Sequence, residues 1–151
     1  IFATYLPFDL LERTKEKQVV DAVFARLYTS YGLRSLDPND EKYVAYYRGN
    51  RVNRDKAYHQ GTVWSYLIGP FISSFLKVNN NSVEAQLRAS LMIDPFVKHM
   101  KNAACIGSIS EIFDGNMPYK PKGCFAQAWS VAEVLRCYVE DIKGQKPSLM
   151  L

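Results

Sequence analysis

The residues that could do chemistry in this sequence centre on one carboxylate set among apolar neighbours. In Gly107-Ser108-Ile109-Ser110-Glu111-Ile112-Phe113-Asp114-Gly115, Glu111 stands beside Ile109, Ile112 and Phe113, and a second carboxylate follows three residues later. Partial desolvation changes the proton affinity of such a group and can poise it as a base. The same spacing also permits a solvated loop acid followed by an Asp114-Gly115 turn. Tyr58-His59-Gln60-Gly61-Thr62-Val63-Trp64 gathers hydrogen-bonding side chains and an aromatic at the mouth of a helix. A polyhydroxylated ligand needs that mixture, with flat apolar surface for ring faces and rigid donors and acceptors for hydroxyls. Alternatively, His59 or Thr62 caps the helix and Trp64 is core. In Gly32-Leu33-Arg34-Ser35-Leu36, Arg34 can clamp a carboxylate or a hydroxyl pair, or remain an ordinary surface arginine. Gly123-Cys124-Phe125-Ala126-Gln127-Ala128-Trp129-Ser130 places small residues along a last helix, where Ala126 and Ala128 suit tight packing and Gln127 and Trp129 are open to either role.

Several other chemistries are excluded. There is no phosphate-cradling glycine loop and no G-x-S-x-G nucleophile elbow. The 2 histidines, His59 and His99, cannot make a histidine-rich metal site. The 3 cysteines are odd in number and lack a C-x-x-C pair, which argues against a disulfide framework or zinc site and favours a reducing cytoplasm. With 19 basic and 15 acidic residues interspersed, the net charge of +4 forms no nucleic-acid-binding stripe. The apolar run Leu67 to Leu76 is broken by Gly69, Pro70, Ser73 and Ser74 and falls short of the roughly 18 residues of a membrane span. At 151 residues, 48% hydrophobic and 23% charged, the chain has the composition of one ordinary folded domain.

Four helices are expected to position these groups. Val19, Val20, Val23, Phe24, Leu27 and Tyr28 form one stripe of a helix over Lys15 to Tyr28. The polar stretch from Thr29 to Gln60 reads as a long functional loop. A second helix spans about Thr62 to Lys77 on the stripe Trp64, Leu67, Ile68, Phe71, Ile72, Phe75 and Leu76, with a kink or restart at Pro70. Asn81 with Glu84 reads as a capping-box variant opening a third helix, Val83 to about Lys101, which Pro95 should bend or split. Cys105 to Pro121 is a punctuated loop with room for short extended pieces at Ile106 to Ile112. The last helix, near Phe125 to Ile142, is expected to bury Phe125, Ala128, Trp129, Ala132, Leu135 and Val139 and to stop at Gly144.

The segments YGLRSLDPND at 31 to 40, AYHQGTVWSYLIGPF at 57 to 71, GSISEIFDG at 107 to 115 and GCFAQAWSVAEVLR at 123 to 136 occur in an order that closely resembles the C-terminal catalytic domain of glycogen debranching enzymes, the amylo-alpha-1,6-glucosidases. The resemblance covers nearly the whole chain. It implies an all-α fold in which residues 1–151 form the C-terminal third, about four helices, of an (α/α)6 barrel of glucoamylase-like type. It also implies hydrolysis of α-1,6-linked glucose at glycogen branch points with inversion. An inverting glycosidase needs two carboxyl groups roughly 6.5 to 9.5 Å apart. Glu111 matches the family's general base. The family's acid, an upstream aspartate, has no match here, and Asp114 is read as shaping a turn. His59, Gln60 and Trp64 match a segment lining the sugar pocket, Arg34 matches a neighbouring loop, and Gln127 and Trp129 match a segment near the pocket. Ser65 departs from the proline that relatives commonly carry after the tryptophan.

The partner implied is glycogen or a limit-dextrin oligosaccharide, with no metal or organic cofactor, no nucleic acid and no membrane. The apolar beginning at Ile1, without a start methionine, suggests a piece of a larger enzyme. Such a piece would lack the acid, and so be inactive alone, and would expose edges that favour self-association or docking of the missing N-terminal part of the barrel. Two other functions are compatible with the same residues: another (α/α)6 glycosidase of glucoamylase- or trehalase-like kind, and a non-catalytic carbohydrate-binding helical module.

Overall fold

The computed structural model of the chain describes residues 1–145. Helix α4, Ile68–Val78, organises it. Its Ile68, Phe71, Ile72, Phe75 and Leu76 are buried together with Val20, Leu33, Ala89, Ile93, Phe96, Ile109, Val134 and Cys137 in one core. Around it lie α1 (Phe2–Tyr5), α2 (Arg13–Arg26), α5 (Val83–Asn102) and α6 (Ala128–Arg136), with α6 running on into a π-helical turn, Cys137–Ile142. Because α4 is apolar around most of its circumference, it has to be enclosed by other elements.

The expectation of an all-α chain forming the final third of an (α/α)6 barrel is overturned. Five short strands, β1 (Tyr28–Thr29), β2 (Gly32–Arg34), β3 (Val63–Trp64), β4 (Ile112–Phe113) and β5 (Pro121–Lys122), form an antiparallel sheet in sequence order. Leu33 pairs with Trp64 and Trp64 with Ile112, so chain segments far apart in sequence meet in one row. Strands of two or three residues are too short to display a period-two pattern, and the β2–β3 and β3–β4 pairings that assemble the sheet join distant segments. The physical cause of the error is therefore tertiary pairing that no local window contains.

Other boundaries moved for identifiable reasons. A further helix, α3 (Arg51–Tyr58), occupies the end of the expected loop. It is exposed except at Ala57 and half-buried Tyr58, so it has no apolar stripe to announce it, and its local signal is the Asn50 side chain accepting the Asn53 N–H at 3.0 Å. The expected second helix is split into β3, a 3-10 turn (Ser65–Leu67) and α4, leaving Pro70 in the first turn of α4, where no backbone donor is needed. Ser82, one residue beyond the expected cap, accepts the Ala85 N–H at 3.3 Å. Helix α5 continues through Pro95; the carbonyl that Pro95 cannot serve belongs to Leu91, which is 60% exposed and open to water. Helix α6 buries Ser130, Val134 and Cys137, whereas Phe125, Ala128, Trp129, Ala132 and Leu135 are exposed. The helix carries two apolar stripes, and the core takes the one that the first spacing count passed over. Leu135 and Tyr138 instead line an apolar groove of about 520 Å³ against Ile93, Val97 and Met100 of α5.

The sheet depends on one close approach. Gly32 has a φ of 126°, and a Cβ there would press into the backbone carbonyl of Trp64 on β3. Gly107, at φ 81°, has nothing within 4 Å of the same position. Gly32→Ala is therefore expected to lower the unfolding free energy by about 2 kcal/mol or more, and Gly107→Ala by about 1 kcal/mol. Denaturant titration of the two variants checks this, and equal losses would contradict the packing described.

Candidate active site

Glu111 immediately precedes β4, and its backbone is held from both sides. Its N–H donates to the Cys124 carbonyl at 2.8 Å, extending the β4–β5 pairing, and its carbonyl accepts the Ser65 N–H at 3.4 Å. The Ser65 hydroxyl donates to the Ser110 carbonyl at 2.8 Å. The preceding residue is tied to α5: the Ser110 N–H donates to Nε2 of His99 at 3.3 Å. A backbone N–H can only donate, so Nε2 is the unprotonated ring nitrogen.

The carboxylate itself is half-buried, with both oxygens engaged. The Tyr58 hydroxyl donates to Oε1, and the Cys124 N–H donates to Oε2 at 2.9 Å. The second bond requires the chain to pass close over the carboxylate. Gly123 allows this with a φ of 67°, since a Cβ at that position would run into Glu111 Oε2. Burial first, and then the hydrogen bond and charge of Glu111, push the Tyr58 phenol above its ordinary value of 10.0. Glu111 opens onto a cleft of about 400 Å³ shared with Tyr47, Arg54, Asp55, Tyr58, Gly123 and Cys124. Tyr47, Arg54, Asp55 and Gly123 were not anticipated, although the Asn50 cap and the Arg51–Asp55 pair, at 3.6 Å and four residues apart, were local signals for the helix bearing two of them. A backbone N–H such as that of Cys124 leaves no mark in a sequence.

Aromatic residues extend from Tyr58. Its ring meets Trp64 edge-on at 4.7 Å; His59 stacks on Trp64 at 5.8 Å; Trp64 meets Trp129 at 5.9 Å; and Trp129 stacks on Tyr66 at 4.6 Å. Trp64 is 8% exposed and its indole N–H donates to the Tyr58 carbonyl at 3.1 Å, whereas Trp129 is 42% exposed. The structure thus brings His59, Trp64 and Trp129 together in one row of rings that reaches Glu111 through Tyr58.

Arg34, Gln60 and Gln127 are placed differently. Arg34 spends its donors on protein, with Nε to the Gly115 carbonyl at 2.8 Å and one terminal nitrogen to the Tyr119 hydroxyl at 3.3 Å, tying β2 to the loop after β4. Gln60 is half-buried and its carbonyl accepts the Val44 N–H at 2.6 Å; its side-chain Oε1 is buried without a partner. Gln127 stands at the N-cap position of α6 with no side-chain cap bond, and its backbone N–H donates to the Ile109 carbonyl at 2.9 Å. Asp114 is buried and accepts the Tyr47 N–H at 2.9 Å, which fixes the loop leading to α3. Among the described residues, no group of three or more His, Cys, Asp and Glu is placed to hold a metal ion, and no helix is long and apolar enough to cross a membrane.

Burial lowers the pKa of His99 from 6.5. A base with a depressed folded-state pKa contributes stability above its unfolded value, and that contribution is lost as pH falls below 6.5. Stability should therefore decline from about pH 7 to about pH 5, and His99→Gln should flatten the decline. Denaturant midpoints measured across this range check it; parallel slopes for the two proteins would exclude His99 as the cause.

A carboxylate held by two donors, open to a polar cleft and flanked by aromatic surface, can accept a proton from water while a sugar ring rests nearby. The family model described as amylo-alpha-1,6-glucosidase matches residues 1–136, a span that contains Arg34, His59, Gln60, Trp64, Glu111, Gln127 and Trp129. The chain belongs to the amylo-alpha-1,6-glucosidase family.

Proposed function

We propose that this chain carries the general base of an inverting glycosidase that releases α-1,6-linked glucose from branch points of glycogen or a limit dextrin. The observation that supports this reading most directly is the setting of Glu111, whose oxygens accept the Tyr58 hydroxyl and the Cys124 N–H while the carboxylate faces an open cleft. Two donors restrict rotation of the carboxylate that is to take a proton from water. As water attacks the anomeric carbon, its proton passes to Glu111, the glycosidic C–O bond breaks, and the leaving oxygen takes a proton from a second carboxyl group. On this reading the acid comes from residues outside the chain, at the place of the family's upstream aspartate.

The same reading gives the aromatics a division of labour. Trp129, half-exposed and stacked on Tyr66, offers a face for a sugar ring, whereas Trp64 forms the wall behind Tyr58. His59 lies on the outer side of that wall, and its ring nitrogens can meet hydroxyls. Arg34, Gln60 and Gln127 serve the pocket by shaping the loops around it.

Glu111→Gln in the full-length protein keeps size and hydrogen-bonding capacity but removes the base. Glucose release from limit dextrin is expected to fall roughly 10²- to 10⁴-fold with oligosaccharide binding retained. An unchanged rate would remove Glu111 from the mechanism, and faster release from trehalose or maltose than from limit dextrin would redirect the substrate assignment.

Trp129→Ala is expected to raise KM severalfold with little change in denaturant midpoint. Trp64→Ala should cost about 3 to 5 kcal/mol of stability. Comparing KM and unfolding for the pair separates a binding surface from a supporting wall.

A further inference from the structure

Helix α3 has little reason to exist for stability alone. Of its residues only Ala57 is fully buried, and its remaining charged side chains face solvent or the cleft. Its C-terminal end is nevertheless fastened with unusual care. The Tyr58 carbonyl accepts both the Thr62 hydroxyl at 2.7 Å and the Trp64 indole N–H at 3.1 Å. The Tyr58 ring is held between Trp64 at 4.7 Å and Tyr47 at 5.9 Å. Two conspicuous residues of the Tyr58-to-Trp64 segment, Thr62 and Trp64, thus direct their polar groups at Tyr58, and the Tyr58 hydroxyl is directed at Glu111 Oε1.

We propose that Tyr58 is the positioning residue that orients the Glu111 carboxylate. The proposal rests on Glu111 being the base. A neutral phenol is well suited to this role. It donates one strong hydrogen bond to an anion, carries no charge that would compete for the proton, and loses little freedom because its ring is already packed. With the Cys124 N–H on Oε2, each carboxylate oxygen has one donor and keeps accepting capacity for water. The other titratable or charged groups facing Glu111 are Tyr47, Arg54 and Asp55 on one side and the Cys124 thiol on the other. Arg54 and Asp55 are both exposed, so solvent screens them more than it screens the direct phenol contact. Elevation of the Tyr58 phenol above 10.0, through burial first and then through Glu111, accompanies the same contact.

The test is Tyr58→Phe in the full-length protein, which removes the hydroxyl and keeps the ring. With limit dextrin as substrate, kcat should fall roughly ten- to a hundredfold while KM changes little. A kcat equal to wild type would overturn the proposal if Glu111→Gln is inactive. If Glu111→Gln is fully active, the base reading itself has failed. A second readout is independent of activity. Ultraviolet difference titration of wild type against Tyr58→Phe should isolate a phenol that ionises above 10.0, and Glu111→Gln should bring it down towards that value. A phenol that titrates identically with and without the Glu111 carboxylate would also overturn the proposal.

Discussion

Nine of the 11 residues of α4 are withdrawn from water, and that burial governs where almost everything else can go. A helix with so little polar surface has to be covered on several sides at once, and α1, α2, α5 and α6 provide the cover. The 3-10 turn and β3 lead directly into α4, so fixing the helix also fixes β3. Strand β3 is the centre of the sheet and takes β2 on one edge and β4 on the other. Glu111 lies at the start of β4 and Tyr58 at the end of the helix preceding β3, and each inherits its position from this chain of constraints. Specific chemistry at the cleft thus depends on unspecific hydrophobic burial beneath it.

Where α4 meets charged neighbours, the carboxylates and cations are matched. Glu16 is only 2% exposed and is paired with Lys77 at 2.6 Å; Lys77 also reaches Asp9 at 3.0 Å, and these two hydrogen bonds hold its ammonium above the ordinary range. On the other side, burial alone would depress the Arg136 guanidinium, but the carboxylates of Glu133 and Asp141 outweigh it and keep the group above its usual value. Arg136 also donates to the Ser73 hydroxyl at 3.0 Å, which connects α6 to α4. Such pairs are costly to break one partner at a time, so they restrict how the helices can slide over the apolar core. Burial, the main influence among several, pushes the Cys137 thiol up to about 12, which keeps this core cysteine in its unreactive form.

What was legible in the sequence were the features with short-range signatures. The α4 stripe from Ile68 to Leu76 and the start of α5 after the asparagine turn follow from periodicity and capping chemistry. Family membership follows from four motifs in order. What could not be read were relations between segments. Nothing local pairs Leu33 with Trp64 or Trp64 with Ile112, so the sheet leaves no local signature and the sequence pattern reads as all-α. Helix α3 escaped because it is polar nearly all round. Of the candidate residues, Glu111 stood out through its apolar neighbours, whereas Tyr58 was visible only as one member of a hydrogen-bonding segment. Its phenol acquires meaning when a residue 53 positions away in sequence comes within hydrogen-bonding reach. Arg34 looked equally chemical on paper, and its donors turn out to hold loop carbonyls and a tyrosine hydroxyl.

The row of aromatic rings has an optical consequence. The chain has only 2 tryptophans, and both belong to that row, in edge contact at 5.9 Å and one ring removed from Tyr58. Their environments differ, with Trp64 at 8% exposure emitting from an apolar wall and Trp129 at 42% emitting partly into water. Intrinsic tryptophan emission from this chain therefore originates entirely in that row of rings, which reaches the cleft through Tyr58, with a blue component from the buried ring and a red component from the exposed one. The row thus carries a two-colour gauge of its own surroundings.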